Sequence, residues 1–89
     1  MAEDTPPAGL VSLAAANIGD KGVITEVSAD DAGDLERRLL EFGFVEGARL
    51  EVLHEGAVAR DPLAVRLDDM RVALRRRDAT GIWFRKDPA

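Results

Sequence analysis

The chain contains no cysteine, and its 89 residues include a single histidine and a single tryptophan. Without cysteine there are no disulfide staples, no thiolate metal site and no cysteine nucleophile. A chain this short must then be held together by packing, by a partner, or by both. No run approaches the ~20 consecutive apolar residues that carry a helix across a bilayer. The opening MAEDTPPAGLVSLAAAN is acidic and lacks the basic start and apolar stretch of a signal peptide. A cytoplasmic location without membrane insertion is therefore expected. The net charge is −5, and it is unevenly spread. Residues 1–34 carry seven acids against Lys21 alone, whereas residues 35–89 carry eleven bases and ten acids. Binding a polyanion depends on neutralising phosphates, so no nucleic-acid partner is expected.

The groups that carry chemistry are also scarce. His54 stands alone, and Glu51 and Glu55 flank it in a region that reads as a strand, where they make no helical ligand pair. Ferrous sites usually need histidines or thiolates beside carboxylates, so His54 reads as a surface or strand-end residue. Asp30, Asp31 and Asp34, and separately Asp68 and Asp69, would hold a hard cation only weakly and read more simply as solvated turn acids. Ser12 and Ser28 lie far in sequence from His54, and no serine is framed by glycines, so a base-activated nucleophile is missing. Gly19-Asp20-Lys21-Gly22 has neither Walker spacing nor a following helix. The expectation is a protein that is not an enzyme, with no catalytic residue, no metal ligand set and no cofactor.

What is present is a pattern of short strands. Residues 1–9, with Pro6 and Pro7, read as a disordered lead, and residues 87–89 as a tail. Leu10–Ala16 suits a short strand or one to two helical turns, and Asn17–Gly22 a turn. Val23–Ser28 is rich in β-branched residues and reads as a strand; Ser28–Gly33 is a polar break. Asp34–Phe42 reads as a helix, with Leu35, Leu39 and Phe42 at i, i+4 and i+7, Leu40 widening the stripe, and Gly43 placed to end it. Leu50–Leu53, Leu63–Leu67, Val72–Leu74 and Ile82–Arg85 alternate as strands. Asp68–Arg71 connects two of them as a hairpin without the glycine that a two-residue turn prefers. Residues 10–86 thus read as one domain, mainly β with one main helix. Closing about five short strands into a small barrel removes the edges that a flat sheet would leave.

The order and spacing of several elements resemble the FeoA domain, the ferrous-iron transport protein A family. They are Arg38-Leu39 with Gly43, then Gly47, Leu50 and Val52, Ala57 and Asp61-Pro62, Leu63-Val65-Leu67, Ala73-Leu74-Arg75 and Ile82-Trp83-Phe84. Gly19 and Gly22 with Val23-Ile24 match the family's opening element. Two departures stand out. In the family's Ala-Pro-x-Gly-Asp-Pro loop, Val58 replaces the proline and Arg60 the glycine. Arg60 disfavours a tight left-handed turn and implies another loop shape. The turn at Asp68-Asp69-Met70 also lacks the usual glycine.

The resemblance implies an SH3-like barrel of the cytosol, transition-metal ions as the family's business, and action on FeoB, a membrane transporter with a GTPase domain. The free-standing form is the expected one, because the winged-helix and dimerisation segments of repressors carrying this domain are absent. The candidate partner-binding residues are Ala57, Val58 and Arg60 of the loop, with Arg75, Trp83 and Arg85. If the strands carrying Arg75 and Trp83 pair as neighbours, Ala73, Arg75, Trp83 and Arg85 share the face opposite Leu74 and Phe84. Tryptophan and arginine are enriched among interface hot spots. The alternatives are a small-barrel nucleic-acid binder built on Arg75-Arg76-Arg77 and Trp83, or a stand-alone metal-sensing domain. Any homo-oligomer is expected to be weak.

Overall fold

A computed structural model of the chain describes residues 9–28 and 33–88. The lead expected over residues 1–9 lies outside them apart from Gly9, as do Asp30, Asp31 and Ala89. Six antiparallel strands, one more than expected, form a single sheet: β1 (Leu10–Ser12), β2 (Lys21–Val27), β3 (Arg49–Val58), β4 (Asp61–Leu67), β5 (Met70–Leu74) and β6 (Ile82–Lys86). Their order across the sheet is β1-β6-β2-β3-β4-β5. The helix α1 spans Asp34–Phe42, as the apolar spacing predicts. Leu10–Ala16 divides into β1 and a 3-10 turn at Leu13–Ala15, capped by the Ser12 side chain.

The alternation reads directly into the core. Leu63, Val65 and Leu67 of β4, Leu50 and Val52 of β3, and Ile82 and Phe84 of β6 are all buried. Each such side chain contributes about 1.5–3 kcal/mol when fully removed from water. On β2 the simple alternation fails. A bulge between Ile24 and Glu26 turns both Ile24 and Val27 toward the core, because the extra residue shifts the face by one step.

The helix ends as the sequence suggests but packs differently. Gly43 adopts φ +106; its amide donates to Leu40 and that of Phe44 to Leu39, which is the Schellman pattern. Phe42, expected to complete the core stripe, is instead 41% exposed, while Phe44 is fully buried. The reversal at Gly43 sends the chain back toward the barrel, and Phe44 fills the volume that the helical period assigned to Phe42.

The two edge strands of the sheet are drawn together through the turns that follow them. The Leu13–Ala15 turn packs against a second 3-10 turn at Arg76–Ala79, and Ser12 Oγ donates to the Thr80 carbonyl at 3.1 Å. The sheet thereby curls into a small barrel.

Candidate functional site

The stretch between the expected strands Leu50–Leu53 and Leu63–Leu67, which includes the loop carrying Ala57, Val58 and Arg60, is a tight hairpin. β3 continues through Gly56, where an added Cβ would sit 1.7 Å from the Asp61 carbonyl oxygen; only glycine lets the strands pass this closely. Val58 pairs with Asp61, leaving Ala59 and Arg60 as a two-residue turn with φ +57 at both. Positive φ at both central residues is the type I′ signature. The expectation that Arg60 would avoid a left-handed turn is therefore overturned, and its contacts give the reason. Arg60 Nε donates to Glu55 Oε1 at 3.1 Å, and its Nη2 donates to Asn17 Oδ1 at 2.7 Å and to the Ala16 carbonyl at 3.3 Å. The Asp61–Pro62 bond that follows is cis.

A second arginine closes the same structure from the other side. Arg76 Nε donates to the Arg60 carbonyl at 2.7 Å. Its Nη1 reaches the carbonyls of Ala14 at 2.8 Å and Ala16 at 3.1 Å, and its Nη2 reaches Glu55 Oε1 at 2.9 Å. The Arg76 side chain is only 15% exposed, and its backbone amide donates to Asp61 Oδ1. The run Arg75-Arg76-Arg77 is therefore not one basic surface. Its middle member is an internal tie, Arg75 points toward Asp61 at 3.8 Å, and Arg77 lies beside Asp78.

Four of the candidate residues, Ala57, Val58, Arg60 and Arg75, are thus grouped at this hairpin tip. Val58 is 82% exposed, the most open of the large apolar side chains among the described residues. Trp83 and Arg85 lie elsewhere. They sit on the outward face of β6, whose neighbours are β1 and β2, opposite Ser12 and Glu26 for Trp83 and opposite Leu10 and Val23 for Arg85. β5 is the far edge strand, separated from β6 by β2, β3 and β4. The shared face expected for Ala73, Arg75, Trp83 and Arg85 does not form by strand pairing.

The β4–β5 turn, Asp68-Asp69, parts two clefts that sequence reasoning missed. One, of about 440 Å³, is charged and lined by Lys21, Arg49, Glu51 and Arg66 beside the two aspartates; its arginines are already paired, Arg49 with Asp87 and Arg66 with Glu51. The other, of about 460 Å³, lies between the C-terminal end of α1 and the turn, and is lined by Phe42, Gly43, Leu67 and Met70 with the same aspartates. The only forewarning in the sequence was Met70 beside the glycine-free turn. Among the described residues no three histidine, aspartate or glutamate side chains come together as metal ligands, and no helix is long and apolar enough to cross a membrane.

Comparison with known proteins bears on this arrangement. The FeoA domain model matches residues 11–86. The Fe(2+) transport protein A/Fe(2+) transporter FeoB fusion protein of Porphyromonas gingivalis is 40% identical over 70 residues, covering 79% of this chain. The chain spans 8% of the length of that relative. The solution structure of FeoA from Chlorobium tepidum superimposes with a TM-score of 0.70 at 36% identity, over 84% of this chain and 70% of that one. Zinc-complexed FeoA of Stenotrophomonas maltophilia, a prokaryotic SH3 domain protein, gives 0.69 at 27% identity, over 86% and 89% respectively. The six-stranded barrel is of this SH3-like kind.

Proposed function

The chain belongs to the FeoA family, and from that premise we propose that it is a cytoplasmic accessory protein of bacterial ferrous-iron transport that binds and modulates an FeoB-type GTPase transporter. The observation that carries the reading is the fusion relative, in which an FeoA segment like this chain and an FeoB transporter share one polypeptide. Covalent linkage raises the effective concentration of two modules that act on each other; separate chains must achieve the same encounter through a surface. The role is regulatory rather than chemical, since the side chains brought together at the hairpin tip tie the fold and offer no nucleophile beside a base.

The surface offered to the transporter is the hairpin tip, with exposed Val58 and Ala57 beside Arg60 and Arg75, and Trp83 and Arg85 on the outer face of β6 form a second, separate contact. An apolar centre ringed by arginines is the composition that interface hot spots favour. Calorimetric titration of the folded chain into the cytosolic GTP-binding domain of an FeoB-type transporter tests this. Binding on the order of micromolar to tens of micromolar, as for transient regulatory contacts, is expected, together with a change in GTP hydrolysis rate. Val58→Asp and Arg75→Glu should each weaken it about tenfold or more. Trp83→Ala should weaken it similarly, with Arg85→Glu as the variant that does not disturb a half-buried ring. Absence of binding by a chain shown to be folded would sink the proposal.

A further inference from the structure

We propose that the cleft between α1 and the β4–β5 turn is a separate docking site for a protein segment that presents an apolar side chain flanked by lysine or arginine. The inference goes beyond the reading above and does not depend on which protein carries the segment. Its floor is apolar and open: Met70 is 56% and Phe42 41% exposed, and the two line one cleft with buried Leu67. Scattered exposed apolar side chains are ordinary on a protein surface, whereas these two are gathered with Leu67 in one concave place, the arrangement that marks an interaction site. Methionine is a suitable floor, because its flexible thioether adapts to different apolar guests.

The rim selects the flanking charge. Asp68 and Asp69 line the cleft and no cation does. Asp68 Oδ1 accepts the backbone amide of Arg49, and the arginine side chains of the adjoining charged cleft are engaged with other acids, Arg49 with Asp87 and Arg66 with Glu51. The Asp69 side chain makes no hydrogen bond or ion pair within the described residues. α1 directs its C-terminal end here, with no basic residue in its last turn, so the partial negative charge of the helix adds to the two carboxylates. A cationic guest gains from all three sources, whereas an anionic membrane surface or a nucleic acid is repelled.

The test is a titration of isotope-labelled chain, followed by amide chemical shifts, with a short synthetic peptide of two central leucines flanked on each side by two lysines. Shifts are expected at Phe42, Gly43 and Asp68 to Met70. Replacing the lysines by glutamates should weaken binding at least ~tenfold, and raised salt should weaken the lysine peptide. Asp69→Lys and Met70→Glu should each lose the lysine peptide while leaving the thermal melt of the surface-substituted chain near that of the parent. Equal binding of the lysine and glutamate peptides would overturn the proposal. So would shifts confined to the hairpin tip near Val58, no shifts up to millimolar peptide, or Met70-dependent self-association in place of peptide binding. Because the probe is not the transporter, success here with failure of the transporter titration would refute only the earlier reading, and the reverse only this one.

Discussion

The two tight hairpins of this barrel use the same device without the usual residue, and they end in opposite conditions. At the β3–β4 tip, Ala59 and Arg60 are both left-handed, at a cost of about 1–2 kcal/mol each for a side chain other than glycine or asparagine. Tertiary hydrogen bonds offset that cost: Arg60 and Arg76 converge on Glu55 and on the carbonyls of residues 14 and 16. At the β4–β5 turn only Asp68 is left-handed, a conformation that aspartate tolerates, and the anchoring is to the adjacent strand β3 alone, through reciprocal bonds with Arg49. The first turn is fixed by distant parts of the chain. The second is held only by the strand beside it, which leaves Asp69 and the apolar neighbours Phe42 and Met70 to face outward.

If that contrast is right, the largest effect comes from cutting the long-range tie. Arg76→Leu removes the donor that serves three carbonyls and Glu55 from a mostly buried position. A loss of about 3 kcal/mol is expected from stranded acceptors of this kind, or a fall in melting temperature of roughly 15 °C for a domain this small. Arg76→Lys should recover little, since one ammonium cannot span the partners that a guanidinium fork reaches. A loss under about 1 kcal/mol for Arg76→Leu would mean that water serves those carbonyls as well and that the tip is not tied. Arg60→Ala should cost less, about 1 kcal/mol, because its side chain is half exposed and its ion pair is screened; denaturant unfolding measures both on one scale.

Much of this barrel was legible because its signals are local. Leu63, Val65 and Leu67 alternate, and they are buried; Gly43 stops a helix, and it does. The failures share a cause. Three consecutive arginines look alike in sequence, and only the approach of residues 14–16 and the β3–β4 tip turns the middle one inward. Gly56 and Pro62 read as loop residues because glycine and proline usually punctuate structure, whereas Gly56 here lets Asp61 pass close. Phe42 obeyed the helical period, yet one residue after it the Schellman reversal hands its place to Phe44. The β1-β6-β2 neighbourhood joins strands far apart in sequence, so no spacing could have shown which side chains flank Trp83. Candidates taken from neighbouring residues stay together in space where a hairpin joins them, as with Ala57, Val58 and Arg60, and are separated where the sheet order intervenes.

A subtler test works in the opposite direction. Ala59→Asn keeps the turn and the arginine tie but replaces one strained left-handed residue by one that tolerates that region. Stability should rise by about 1 kcal/mol, read as an upward shift of the denaturation midpoint with an unchanged slope. The matching change at the other turn, Asp69→Asn, should be within about 0.5 kcal/mol of neutral, since Asp69 is not left-handed and its side chain is unpaired among the described residues. Equal gains at both turns would erase the distinction between them.

The smallest expected effect is the most discriminating. Met70 follows the β4–β5 turn and is more than half exposed, so Met70→Ser should change stability by no more than about 0.5 kcal/mol. A core methionine truncated this far would cost about 2–5 kcal/mol, and thermal melts separate the two easily. A loss in that larger range would show that Met70 folds over Phe42 in solution and closes the cleft, making the β4–β5 end as internally committed as the β3–β4 tip. A near-neutral result leaves an apolar floor that contributes little to the fold, together with aspartates that the fold does not neutralise. A surface of that kind is retained at no gain to the isolated domain, and its consequence is felt when a cationic, apolar guest arrives.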